Sequence, residues 1–322
     1  MSGSSIAVGQ RGLAILGARG GRPALDAGAF PVYRLLALQT ALVALLLAAL
    51  GFTYRGEDIN LMIAVLAAMV GLATLLRWRG SPRLAAGIGG CAILGAAGMA
   101  GACLSPLVGT IGFPYRDGSL AAADELLFPF LSWPDLARSL SKQAELTALM
   151  CRIYSTLLWQ PFLLVAIFAA LGRTDSIWRF LHAWTLTLIA CVAIFAVAPA
   201  QAAYVHYGFV PADVPYLTAN TGWWPTEILE RVRTGQLREL GTDQISGLIT
   251  FPSFHTAAAV LLAWGFRRVP FVGPLFVLLN LAMIATVPLI GSHYFVDVLG
   301  GIAVALLAIA GSRTARRVGV FS

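Results

Sequence analysis

Charge is scarce in this 322-residue chain: Asp, Glu, Lys and Arg make up 11% of it, where an ordinary globular domain carries roughly 25%. Hydrophobic residues reach 58% and the mean hydropathy is +0.80, which together exclude a water-soluble enzyme. Long charged or Pro-rich tracts are also missing, which excludes a disordered or low-complexity chain. Lysine is reduced to Lys142. The four cysteines, Cys91, Cys103, Cys151 and Cys191, all fall inside apolar runs, so they form neither a disulfide framework nor a metal motif. The net charge of +7 does not call for a nucleic-acid partner, because its distribution follows a membrane topology.

What is abundant is long apolar sequence. Runs able to cross about 30 Å of hydrocarbon are found at 35–52, 61–76, 84–104, 146–171, 178–198, 254–266, 271–289 and 294–310. The sixth is short, running from just after Pro252 to Arg267-Arg268. All eight read as helices, since an open sheet leaves backbone groups unpaired in lipid and these runs are too continuous for barrel strands. The expected fold class is all-α, a polytopic membrane helix bundle of about eight transmembrane helices. Glycines at 87, 89, 90, 95, 98 and 101 in the third run let helices pack closely.

The basic residues orient the bundle. With the N-terminus in the cytoplasm, the cytoplasmic segments hold fourteen arginines against Asp26 and Asp175, a net of +12. The opposite side holds eight basic residues against thirteen acids, a net of −5. That is the positive-inside pattern, and it places both termini in the cytoplasm. The N-terminal tail, 1–33, has only a weak apolar patch at 13–16, too short for a secretory signal, so no cleavage is expected. Both long connections, 105–145 and 199–250, lie outside. The first, rich in Pro, Phe, Leu and Trp, reads as an interfacial amphipathic element. In the second, Trp223-Trp224-Pro225 reads as a headgroup-level anchor and 227–243 as a short surface helix.

Two of the four histidines stand where a span begins on the outer side: His255 in Phe251-Pro252-Ser253-Phe254-His255-Thr256, and His293 in Gly291-Ser292-His293-Tyr294-Phe295-Val296-Asp297. A helix N-terminus offers unpaired N–H groups and a partial positive charge, which suits a phosphate. Pro252 suits the first helical position, and Ser253 or Ser292 can cap or donate to an anion. His293 and Asp297 are four apart, so they share a helix face, and the carboxylate can hold the imidazole in one tautomer with the other nitrogen free to attack. Taken singly, either motif is also a plain helix cap or a structural pair. Together, at equal depth on one membrane side, they point to catalysis. His182 and His206 are assigned to an interface or loop.

These residues resemble the type 2 phosphatidic acid phosphatase superfamily, whose later motifs are Pro-Ser-x-His and a downstream His-x-x-x-Asp. The likeness is closer to the branch of the inositol phosphorylceramide synthases, with Phe-Pro-Ser-Phe-His, Gly-x-His-Tyr-x-x-Asp and then Gly300 and Gly301. It runs from about 84 to 310 and includes Arg116-Asp117-Gly118 through Asp124 and Tyr154-Ser155 through Gln160. The resemblance implies a six-helix core over 81–312, preceded by two additional helices over 34–80 and followed by a basic tail over 313–322. It implies His293 as a nucleophile forming a phosphohistidine, Asp297 as its orienting carboxylate, His255 as the general acid and Ser253 as a ligand of phosphoryl oxygens. It implies a lipid phosphate or phospholipid substrate, a lipid alcohol as acceptor if the reaction is a transfer, and no metal or cofactor.

The chain departs from the common phosphatase pattern. Lys-x6-Arg-Pro is absent, since the seventh residue after Lys142 is Leu149, and Thr286-Val287 stands where that pattern has Ser-Arg. Another cation is therefore expected at the site. Arg152, inside the outer end of the fourth run, comes first and Arg116 second. Alternatively Arg152 snorkels to the interface or pairs with Asp117, Asp124 or Glu145. Asp117 and Asp124 either orient a hydroxyl acceptor or cap helices. Two further readings stay open: a metal-dependent membrane hydrolase with His255, His293 and Asp297 as ligands, and a non-enzymatic lipid transporter with Arg152 and Asp297 along its path.

Overall fold

The computed structural model describes residues 27–217, 223–241, 244 and 247–317. The N-terminal arginines before residue 27, the 13–16 patch and the last five residues lie outside the described residues. Among the described residues the regular structure is helical apart from two two-residue strands, β1 (Thr53–Tyr54) and β2 (Glu239–Leu240), which pair in parallel.

Helices α1 (Phe30–Leu50), α2 (Gly56–Trp78) and α3 (Pro82–Gly109) come first. The outer connection then folds as α4 (Asp117–Leu127) and α5 (Trp133–Leu140), two short helices where the sequence suggested an interfacial element. They are followed by α6 (Ala144–Ser155), a single 3-10 turn (Thr156–Leu158), α7 (Gln160–Ala170) and α8 (Thr174–Val197). The second outer segment carries α9 (Ala203–His206) and α10 (Trp223–Arg233), and the chain ends with α11 (Phe254–Phe266), α12 (Gly273–Ile290) and α13 (Phe295–Arg317).

Among the described residues six helices are long and apolar enough to cross a membrane: α1, the 59–78 stretch of α2, α3, α8, α12 and α13 over Phe295–Ser312. The pair α6 and α7, bent by 49°, is a broken span or a re-entrant loop, and counted as one span it makes a seventh. The expected continuous run 146–171 is thus broken, because Pro161 in the first turn of α7 has no N–H to give the preceding turn. A buried amide pair bridges the break: Asn280 Nδ2 donates to Gln160 Oε1 at 2.7 Å, and Gln160 Nε2 donates to Thr156 Oγ1 at 2.7 Å. The remaining apolar run is α11, whose 13 residues measure about 20 Å, shorter than the roughly 30 Å hydrocarbon core.

The glycines of α3 do what small residues do in a bundle. A Cβ on Gly90 would lie 3.0 Å from both Ile177 and Val165, and one on Gly101 only 2.5 Å from Leu188, so α3 packs backbone-close on α7 and α8. The main core gathers α1, α3, α7, α8, α11, α12 and α13. A second cluster, with Leu120, Trp133, Ala137, Tyr204, Phe209, Ile290 and Tyr294, forms a cap of α4, α5 and α9 over the starts of α11 and α13. Trp223 and Trp224 belong to this architecture instead of anchoring freely: Trp223 Nε1 donates to Phe209 O at 3.0 Å and Trp224 packs against the main core. Beside them, Arg233 Nε donates to Gly109 O at 2.9 Å, placing a cation at the C-terminus of α3.

Candidate active site

The site is built where α11 and α13 begin side by side. Ser253 is the N-cap of α11: its backbone is extended and its Oγ accepts the Thr256 N–H at 3.3 Å. Pro252 therefore precedes the cap and does not occupy the first helical position. The Ser253 N–H donates to the Asp297 carbonyl at 3.1 Å, and two glycines of α13 make this approach feasible. A Cβ on Gly301 would stand 2.4 Å from the Ser253 carbonyl oxygen, and one on Gly300 would stand 3.1 Å from Phe251 and Pro252.

The start of α13 is closed by carboxylates. Asp297 Oδ2 accepts the Tyr294 N–H at 2.9 Å, and the two oxygens of Asp124 accept the Phe295 and Val296 N–H groups, each at 2.8 Å. The expectation that this helix end cradles a phosphate is corrected, since its first donors are already satisfied by the protein. Burial raises the Asp124 carboxyl above the ordinary carboxylate range, and its two backbone N–H bonds pull it back. Asp117 braces the same turn, accepting from Tyr294 Oη at 2.9 Å and from the Gln201 N–H at 3.1 and 2.9 Å. Both α4 acids are thus capping and bracing groups.

His293 is held from three sides. Its N–H donates to Pro288 O at 3.0 Å, its carbonyl accepts Trp133 Nε1–H at 2.9 Å, and its Nδ1 lies 3.1 Å from Asp297 Oδ2. On the far side Nε2 lies 3.3 Å from Ser253 Oγ. An ionised Asp297 can only accept a hydrogen bond, so it holds the proton of Nδ1 and leaves Nε2 to accept the Ser253 O–H. The tautomer follows: the ring proton is on Nδ1, facing the carboxylate, and the lone pair is on Nε2. Both His293 and Asp297 are buried. A buried carboxylate at this distance offsets the positive charge that the imidazole acquires when Nε2 forms a bond.

His255, in the first turn of α11, is partly exposed and close enough to His293 to interact electrostatically. Tyr154 of α6 stacks on its ring, with centroids 3.9 Å apart and planes 13° apart. Among the described residues no acceptor meets the Phe254 or His255 N–H, so α11 supplies the open helix end that α13 does not.

A paired histidine and carboxylate thus stand beside a capped Pro-Ser-x-His turn. A model of the PAP2 superfamily matches residues 119–311, more than half of the chain. The chain belongs to the PAP2 superfamily. It is thus a membrane protein of a superfamily of lipid phosphate phosphatases and transferases, whose chemistry proceeds without a metal ion. Comparisons with curated proteins and with solved structures gave no match.

Of the other sequence candidates, one is tied to the backbone and two are exposed. Ser292 has a left-handed backbone (φ 56°), and its Oγ and carbonyl accept the Tyr204 and Ala203 N–H groups at 3.1 and 3.0 Å, so it fastens α9 to the site. Arg152 is exposed, not buried in the span. It is two residues from Tyr154, about 200° around the helix, and shares the outer face of α6 with Leu149 and Ser155. Arg116 is exposed too, and no ion pair or hydrogen bond joins either guanidinium to the histidines among the described residues. His182 lies in α8, and His206 packs on Tyr294 at 6.0 Å. No three His, Cys, Asp or Glu among the described residues gather as a metal site requires. Sequence reasoning missed the Tyr154 stack, and its reading of Asp124 as a helix cap did not say that the helix would be α13. Both join residues more than a hundred positions apart, and no spacing rule reports that.

Proposed function

We propose that the protein is a membrane-embedded lipid phosphatase or phosphotransferase that works through a phosphohistidine at His293. The supporting observation is the orientation of that ring, with Nδ1 on the Asp297 carboxylate at 3.1 Å and Nε2 turned to Ser253 at 3.3 Å. In the first step His293 Nε2 attacks phosphorus in line, the bond from phosphorus to the departing alkoxide breaks, and His255 gives that oxygen its proton. Ser253 turns its hydroxyl from Nε2 to a phosphoryl oxygen, beside the open N–H groups of α11. In the second step water or a lipid alcohol attacks the phosphoenzyme, loses its proton to His255, and the N–P bond breaks. Water yields a phosphatase. A lipid alcohol yields a phosphotransferase, the outcome favoured by the likeness to the inositol phosphorylceramide synthase branch and by the missing Lys-x6-Arg-Pro and Ser-Arg elements.

The basic-loop pattern puts both termini in the cytoplasm and the starts of α11 and α13 at the non-cytoplasmic face. A substrate there keeps its tails in the bilayer and offers its headgroup to the helix ends. The test uses protein in mixed micelles with labelled phosphatidic acid, phosphatidylinositol and ceramide, with and without chelator, beside His293→Ala. Release of inorganic phosphate that needs His293 identifies a phosphatase, and label on a second lipid identifies a transferase. Turnover that survives His293→Ala overturns the phosphohistidine reading.

A further inference from the structure

His255 has the position of a proton donor but lacks the usual means of holding one. A catalytic imidazole ordinarily has its ring fixed by a hydrogen bond from one nitrogen, as Asp297 fixes His293. Neither ring nitrogen of His255 has such a partner among the described residues. What touches the ring is Tyr154, lying face to face with it at 3.9 Å and 13°. Tyr154 is in the last turn of α6, just before the 49° break to α7 that Gln160, Thr156 and Asn280 bridge. The other end of its ring fits against Gly291, where a Cβ would stand 2.9 Å from Tyr154 Oη and 2.5 Å from His293 Cδ2. Any side chain at 291 would push Tyr154 off His255 or displace His293.

From this geometry we infer that Tyr154 is a positioning residue, whose aromatic face sets the plane of His255 for proton delivery while its hydroxyl end rests against Gly291. The inference rests on the proposed role of His255 for its catalytic consequence, but the stack itself is testable without any substrate. The ring does the positioning, so phenylalanine should serve and leucine should not.

The experiment treats the full-length protein in detergent with diethyl pyrocarbonate and follows carbethoxylation of His255 by peptide mass spectrometry. Unmodified protein, Tyr154→Phe, Tyr154→Leu and His293→Ala are compared, and modification of His182 in α8 serves as the folding control. With His182 unchanged, His255 should react at the same rate in unmodified protein and Tyr154→Phe, and roughly three- to tenfold faster in Tyr154→Leu, the range that an aromatic pair of this kind supports. If Tyr154→Leu proves unfolded by the His182 control, Tyr154→Trp replaces it, with a slow His255 rate expected. Equal His255 rates in the unmodified protein and the folded leucine variant overturn the inference. So does a Tyr154→Phe variant as reactive as Tyr154→Leu, because the hydroxyl would then be the holding group. In the lipid assay, kcat should fall in Tyr154→Leu and recover in Tyr154→Phe at unchanged KM. Activity retained in His293→Ala would refute the phosphohistidine reading and leave the carbethoxylation result standing on its own.

Discussion

Replacing Gly301 with alanine places a methyl group against the backbone that positions the nucleophile. The added Cβ would lie 2.4 Å from the Ser253 carbonyl oxygen, 2.9 Å from Thr256 Cβ and 3.2 Å from the Ala257 nitrogen. Non-bonded atoms settle at roughly 3.5 Å, so α13 and the start of α11 must separate by about 1 Å. The obstructing atom is a main-chain oxygen at a helix cap and cannot rotate away. Overpacking of this kind costs about 1–3 kcal/mol, partly offset by the roughly 1 kcal/mol that alanine gains over glycine inside a helix. Stability should thus fall modestly. Catalysis should suffer more, because the separation acts along the line that brings Ser253 to His293, and a misplacement near 1 Å lowers rate by about 100-fold. Initial rates for the lipid found in the micelle assay, with thermal unfolding in parallel, measure both effects. Gly98→Ala in α3 is the control, since a Cβ there meets nothing within 4 Å. A Gly301→Ala enzyme within twofold of the unmodified rate refutes the close-approach argument, as does an equal loss in Gly98→Ala.

Asp297→Asn removes the charge facing His293 Nδ1 and should lower turnover by about a thousandfold or more with little change in KM, as steady-state kinetics would show. Asp124→Ala leaves the Phe295 and Val296 N–H groups without acceptors; at about 1–3 kcal/mol for each buried donor, the unfolding temperature should drop well below that of Asp124→Asn, which keeps one acceptor oxygen. Chelator should leave His293-dependent turnover unchanged, and restoration of a chelator-lost rate by a divalent cation would favour the metal-dependent hydrolase instead.

Much of the bundle was legible because its signals are local. Apolar length marks a span, so the helical runs were plain, and Pro161 carried the one signal that the fourth would break. The pairing of His293 with Asp297 was legible because four residues along a helix is a fixed distance. The capping of α13 was not, because Asp124 reaches Phe295 across 171 positions of sequence. Arg152 shows a different limit. Its place in an apolar run suggested a costly buried cation, but burial depends on which face of α6 meets α12, and that face is chosen by packing around Tyr154 and Thr147. Trp223 likewise suited a membrane interface by composition and found Phe209 instead.

The grip of α4 on α13 also bears on when the enzyme becomes competent. A chain made from its N-terminus completes Asp117 and Asp124 long before His293 exists, and N-terminal parts fold first. The receiving carboxylates are ready for a helix not yet synthesised. Until that last span docks, the histidine lacks its orientation, Asp124 lacks its two donors, Asp117 lacks the Tyr294 hydroxyl, and Ser253 lacks its neighbour. Under the proposed mechanism a partly inserted chain is silent toward the lipids around it, and completion of the bundle and onset of catalysis become a single event.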